Sequence, residues 1–292
     1  MNAIALNLGG RLRDFGDLVK FSHTIFLFPF ALSALLLATQ VSPLTVGKVL
    51  WVVVALVAAR SAAMIMNRIA DRRIDALNPR TATRPLVTGQ VSPALAWAWL
   101  TLACGVLVLA AWMLNPLCFA LSPVALVWVL GYSFTKRFTW LCHVWLGLAT
   151  ALAPLGAWIA VTGAWDWRAA VLAGASALWV AGFDVIYACQ DIEFDQQHSL
   201  HSLPAHLGLE KSLWVSRGMH ALTILGFLAL APLFNLGNIY LVGAMVVALA
   251  LVVEQILVAI KRANIPMAFF TVNGFVSIAF LVFLALDLWL GN

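Results

Sequence analysis

Residues 46–75 read VGKVLWVVVALVAARSAAMIMNRIADRRID. The run from 46 to 66 is apolar apart from Lys48, Arg60 and Ser61, and a hydrocarbon core is crossed by about 20 helical residues. Asn67, Asp71 and Asp75 follow at every fourth position. At about 100° per residue they drift only about 80° around a continuing helix, so three oxygen-bearing side chains share one face where the helix leaves the apolar run.

Runs of the same kind recur along the chain. Reading them between polar or Gly/Pro breaks predicts helices near 21–39, 46–66, 92–113, 116–133, 141–162, 168–189, 212–232, 237–259 and 268–290. The fold class is all-α, an integral membrane bundle of nine transmembrane helices forming a single domain over 1–292. Composition agrees: of 292 residues 63% are hydrophobic and 10% charged, with a mean hydropathy of +0.98, whereas soluble domains are roughly half apolar and a quarter charged. The first apolar run lacks a small-residue cleavage site and reads as a retained helix.

Net charge is +5, but the basic residues are scattered over short loops, which excludes a nucleic-acid-binding face. No obligate protein partner is signalled; the expected surroundings are the lipid bilayer. Cys104, Cys118, Cys142 and Cys189 lie in apolar segments without metal spacing and read as small core hydrophobes. Trp51, Trp112, Trp140, Trp165, Trp167 and Trp289 fall near helix ends, where amphipathic rings favour the headgroup level.

With the N-terminus on the cytoplasmic side, fourteen of the seventeen Lys and Arg residues fall on cytoplasmic segments or adjoining helix ends. Lys48 and Arg168 are opposite and Arg60 lies within helix 2. This positive-inside bias sets the orientation: N-terminus in the cytoplasm, C-terminus on the other side, and the long polar connections 67–91 and 190–211 both cytoplasmic. The chemistry is expected on that face of the membrane.

The second of those connections carries its own acidic series. Asp184, Tyr187, Asp191 and Asp195, spaced i, i+3, i+7 and i+11, would form one stripe on a helix continuing from helix 6. Acids at the end of an apolar bundle are costly and point to function with a partner. Magnesium suits them, because it takes oxygen ligands, usually one or two carboxylates, and completes its shell with water and substrate phosphates. Around the same face lie Arg72, Arg73, Arg80, Arg84, Lys136 and Arg137, which can grip phosphate oxygens or act only as topology signals. Acids, metal and bases together describe a diphosphate site. A cation-coupled transporter is the alternative of a different class, but its acids would sit at the bilayer midplane on broken helices.

NxxxDxxxD from Asn67 to Asp75, the segment Asn78 to Pro85, Tyr132 to Arg137, Asp184 to Asp195 and the loop His201 to Gly208 together resemble the UbiA superfamily of membrane prenyltransferases, over nearly the whole chain. The resemblance implies a nine-helix bundle opening laterally to lipid, in which Asp71, Asp75, Asp191 and Asp195 hold Mg²⁺. Asp71 and Asp191 would carry the catalysis, and Asn67, Arg72, Arg80, Arg84, Lys136, Arg137, Asp184 and Tyr187 would bind substrate. The implied reaction ionises a polyprenyl diphosphate to an allylic cation that an electron-rich aromatic carbon attacks, with Asp191 or a nearby carboxylate assisting deprotonation of the phenol.

Lys20 to Thr24 and the 201–208 loop resemble the bacterial branch of that family acting on 4-hydroxybenzoate in quinone synthesis. The implied location is the bacterial inner membrane. A dihydroxynaphthoate or haem acceptor remains open. His198, His201 and His206 match no zinc spacing and read as polar loop residues, and His23 reads as a hydrogen-bonded bundle residue.

Overall fold

The computed structural model describes residues 28–260 and 268–291, together with residues 14–16, 18 and 265. Lys20, Phe21, Ser22, His23 and Thr24, the charges Arg11, Arg13, Lys261 and Arg262, and the terminal Asn292 lie outside the described residues, so helix 1 is seen only from Phe28.

Among the described residues the fold is all-helical. The main helices are α1 (Phe28–Ala38), α2 (Val46–Leu77), α3 (Pro93–Leu114), α4 (Pro116–Gly131), α5 (Cys142–Thr162), α6 (Trp167–Ala188), α7 (Leu209–Phe234), α8 (Asn238–Ile260) and α9 (Asn273–Leu290). All but the 11-residue α1 are long and apolar enough to cross a membrane, α4 being prolonged by a 3₁₀ turn over Tyr132–Arg137. Their outward faces expose Leu102, Trp112, Val127, Leu225, Met245 and Leu249. Such a surface would aggregate in water and is the ordinary outer face of a helix bundle in lipid.

Local chemistry sets the helix ends. Ser92 and Asn115 cap α3 and α4 by accepting from Leu95 and Cys118 N–H at 3.2 and 2.8 Å, each followed by a proline at the first helical position. Gly163, at φ +70°, closes α5. Among the described helix ends the predicted bounds hold within a few residues, and α2 runs on through the acidic stripe, as the spacing of Asn67, Asp71 and Asp75 implies, to Leu77 and stops at Asn78, extended as a residue preceding proline must be.

The core forms around α6, which packs between α5 and α7 and buries most of its length. Phe30, Trp179, Phe227 and Phe280 cluster there with ring centroids 4.5–5.6 Å apart. Two glycines permit this closeness: a Cβ on Gly147 would strike the Ala177 carbonyl, and one on Gly182 would strike the His220 ring. Small residues at crossings let membrane helices approach backbone to backbone. A polar chain tightens the same region, Trp179 Nε1 donating to Asn273 Oδ1 at 2.8 Å and Asn273 Nδ2 to Glu254 Oε1 at 2.7 Å.

Candidate active site

The ends of α2 and α6, the 3₁₀ turn and the connections 78–92 and 189–208 meet at one end of the bundle. There they close the polar end of a cavity of about 650 Å³. On α2 its lining runs from Val52 to Asp75, about 35 Å of helix at 1.5 Å per residue, which is the depth of a hydrocarbon core. The far end reaches Trp165. Between the ends, the walls mix large apolar side chains with small ones: Ala55, Ala59 and Ala63 recur every fourth residue on α2, and Ala149 and Ala153 line the cavity from α5.

At the polar end each predicted metal-binding acid meets a cation. Arg137 Nη2 lies 3.0 Å from Asp71 Oδ1, and Asn67 Nδ2 donates to the other oxygen at 3.0 Å. Arg84 Nη1 reaches both oxygens of Asp75 at 2.5 Å. Arg80 takes Asp191 side-on, with Nε to Oδ1 at 3.1 Å and Nη2 to Oδ2 at 2.5 Å. Burial works against the Arg80 charge, but the Asp191 carboxylate outweighs it and raises the guanidinium pKa above its ordinary value. Lys136 Nζ stands 3.8 Å from Asp195, an ion pair beyond hydrogen-bond distance, and Ser202 Oγ donates to that carboxylate at 2.8 Å.

Of the residues expected to bind substrate, Asn67, Arg80, Arg84, Lys136, Arg137, Asp184 and Tyr187 all line the cavity. Arg72 does not line it. Its Nε donates to the Leu86 carbonyl at 3.1 Å, on the side of α2 facing the short helix Pro85–Thr88.

The second acidic series also differs from expectation, because it is not one helical stripe. Cys189, Gln190 and Asp191 donate to Ile186, Tyr187 and Ala188, a tightening to i−3 bonds that ends α6. Asp191 then starts a separate short helix, Ile192–Gln197. The turn nonetheless keeps Asp184, Tyr187, Asp191 and Asp195 on the cavity wall.

Arg60, Tyr132 and His143, to which no binding or catalytic role was assigned from sequence, belong here. Arg60 lines the deeper cavity, and its Nε is buried with no hydrogen-bond partner. As a cation inside an apolar run it carried a usable signal. Tyr132 lines the cavity within range of the charges of Arg60, Asp71 and Asp184. His143, fully buried, binds Asp184 through Nδ1 at 2.6 Å. Nothing in the sequence linked those last two positions.

The loop histidines stand outside the lining. His198 stacks on Phe194, His206 stacks on Trp140, and His201 N–H donates to the Lys136 carbonyl at 2.7 Å. Cys142 and Cys189 donate through Sγ to the His201 and Val185 carbonyls at 3.6 and 3.3 Å. Among the described residues no three His, Cys, Asp or Glu side chains converge into a ready metal cage.

Comparison with known proteins agrees with this architecture. Residues 26–288 match the UbiA prenyltransferase family. A 4-hydroxybenzoate octaprenyltransferase of Hydrogenovibrio crunogenus is 30% identical over 263 residues, covering 90% of this chain and 91% of the relative. One of Nitrosospira multiformis is 35% identical over 206 residues, 70% of this chain and 69% of the relative. Among solved structures, a UbiA homolog from Aeropyrum pernix K1 superposes with a TM-score of 0.84 at 36% identity, over 91% of this chain and 98% of that one. A UbiA homolog from Archaeoglobus fulgidus, solved with GPP and Mg²⁺, shares the fold with a TM-score of 0.72 at 20% identity, over 94% and 99%.

Proposed function

Because this chain belongs to the UbiA prenyltransferase family, we propose that it transfers a polyprenyl group from its diphosphate to 4-hydroxybenzoate, at the cytoplasmic face of a bacterial inner membrane. The observation that carries the reading is the cavity. It gathers paired acids and cations at one end and runs as an apolar passage through the depth of the bundle. The relatives' names supply the acceptor and the long-chain donor class, and the placement of fourteen of the seventeen basic residues on one side supports the orientation.

The donor set of Asp71, Asp75, Asp191 and Asp195 is all oxygen, which suits Mg²⁺. That ion usually takes one or two carboxylates and completes its shell with water and phosphate oxygens. When bound, the ion supplies positive charge that stabilises the leaving diphosphate.

The chain's own groups do the rest. Arg80, Arg84, Lys136 and Arg137 already face the site, and their guanidinium and ammonium groups can trade a carboxylate for a phosphate oxygen without losing charge compensation. The alanine-lined passage takes the prenyl chain and keeps water from the allylic cation. Arg60, whose buried Nε has no partner, would receive the acceptor's carboxylate, orienting the ring within the cavity.

The test is purified protein with Mg²⁺, one polyprenyl diphosphate and a panel of aromatic acids. Prenylated 4-hydroxybenzoate supports the reading. Turnover of protohaem with farnesyl diphosphate, and none with any aromatic acid, would overturn the acceptor. Cation flux without any prenyl transfer would overturn the enzyme class.

A further inference from the structure

Asp184 differs from the other cavity acids in its partner. Asp71, Asp75, Asp191 and Asp195 each face an arginine or lysine. Asp184 Oδ2 instead meets Nδ1 of His143 at 2.6 Å, and His143 is 0% exposed. The far side of that ring is also engaged, since Leu203 N–H donates to Nε2 at 3.3 Å. The ring is thus held on both sides, and Nδ1 is the nitrogen turned to Asp184.

The pair fixes one oxygen of Asp184 and leaves the other for the cavity. Its Oδ1 has no hydrogen-bond partner among the described residues, and the side chain, 19% exposed, is part of the cavity wall. Asp184 also lies on the membrane side of the paired acids, four residues before the end of α6. Tyr132, which lies within range of Arg60 as well, and Lys136 are near enough to feel its charge without bonding it. Asp191, by contrast, has both oxygens taken by Arg80.

We propose that Asp184, oriented by His143, is the group that takes the acceptor's phenol proton during prenyl transfer. This rests on the transfer reaction proposed above. The acceptor O–H bond breaks and its proton passes to Asp184 Oδ1, leaving the electron pair on oxygen to feed the ring. The ring carbon ortho to that oxygen forms the new bond to the prenyl carbon, whose bond to diphosphate breaks with its electron pair leaving on diphosphate. The resulting dienone loses its ring hydrogen as a proton to the diphosphate product, and Asp184 returns its proton to the phenol oxygen. Asp184 is a catalytic residue in this scheme and His143 a positioning residue.

The experiment compares wild type, Asp184→Asn, His143→Gln and His143→Leu in prenylation of 4-hydroxybenzoate, at saturating donor, from neutral pH upward. In Asp184→Asn the amide oxygen would stay on His143 and the NH₂ would turn to the cavity, where it cannot accept a proton. The kcat should fall about a hundredfold to ten-thousandfold, the range of a lost general base. The deficit should shrink toward about pH 10, where a phenol ionises unaided. Mg²⁺-dependent binding of an unreactive thio-analogue of the donor should be unchanged. His143→Leu should lose about tenfold to a hundredfold, and His143→Gln, whose amide can still donate to Asp184, should recover most of it.

Wild-type kcat in Asp184→Asn, or a loss equal at every pH and accompanied by lost analogue binding, would overturn the inference while leaving the transfer reaction standing. A wild-type protein that prenylates no aromatic acid would overturn the underlying reading and this one with it.

Discussion

Arg80 spans two elements at once: it holds Asp191 through Nε and Nη2 at 3.1 and 2.5 Å while its Nη1 donates to the Tyr187 hydroxyl at 3.0 Å. Asn78 adds a bond to Asp191 Oδ1 at 3.4 Å, so the connection after α2 is tied to the end of α6. Arg80→Lys keeps the charge but loses the planar fork that makes all three bonds. We expect a higher donor KM with the fold intact, read by steady-state kinetics against donor concentration and by thermal melting.

Asp71→Asn and Asp191→Asn remove one carboxylate charge each with little change of shape. Prenyl transfer should drop about a hundredfold to a thousandfold, as for one lost electrostatic contact of about 3–4 kcal/mol in the transition state, and the Mg²⁺ requirement should shift upward. Asp166→Asn is the control, since Asp166 caps α6 at the opposite end and asparagine caps equally well. Unchanged rates and an unchanged Mg²⁺ titration in both site variants would remove these carboxylates from the metal site.

Arg60→Leu deletes the cation in the deeper cavity. A lost charged hydrogen bond of about 1.5–3 kcal/mol should raise the acceptor KM roughly tenfold to a hundredfold with donor KM unchanged. A neutral phenol lacking the carboxylate should be used equally by both proteins. If Arg60→Leu instead raises the donor KM, the residue serves the prenyl diphosphate.

Asn273→Leu would strip Trp179 Nε1 and Glu254 Oε1 of the partner they share inside the bundle. Stability should fall by about 1–3 kcal/mol, the cost of stranded buried polar groups, seen as a lower melting temperature in detergent. The specific activity of the folded fraction should hold, because neither Trp179 nor Glu254 lines the cavity.

Ala59→Phe would obstruct the passage midway. Short prenyl donors should still react, while long ones should lose about tenfold to a hundredfold, equivalent to about 1–3 kcal/mol of overpacking. A series of donors of increasing length, run side by side with wild type, reads the result.

The helices were legible because lipid makes apolar length a direct signal. The apolar run ends at residue 66, but the spacing of Asn67, Asp71 and Asp75 carries the helix on, and α2 continues to Leu77 because nothing before Asn78-Pro79 breaks it. The reverse happened after Ala188, where helical spacing of the acids concealed a 3₁₀ turn that no proline or glycine announces. The acids and most of the bases were found because charge beside an apolar run is conspicuous. Arg72 shared that signal yet faces the other side of α2, since the pattern of charges alone does not say which basic residue turns inward. The His143–Asp184 contact joins residues 41 positions apart and had no local trace.

The alanines along α2 and α5 carry a consequence for evolvability. Only glycine is smaller, and glycine inside a helix costs about 1 kcal/mol, so substitution at Ala55, Ala59, Ala63, Ala149 and Ala153 has almost no room to widen the passage and ample room to narrow it. Replacement of any of these five residues by a larger one therefore restricts the tail that the passage accepts, and widening has to come from the remaining walls.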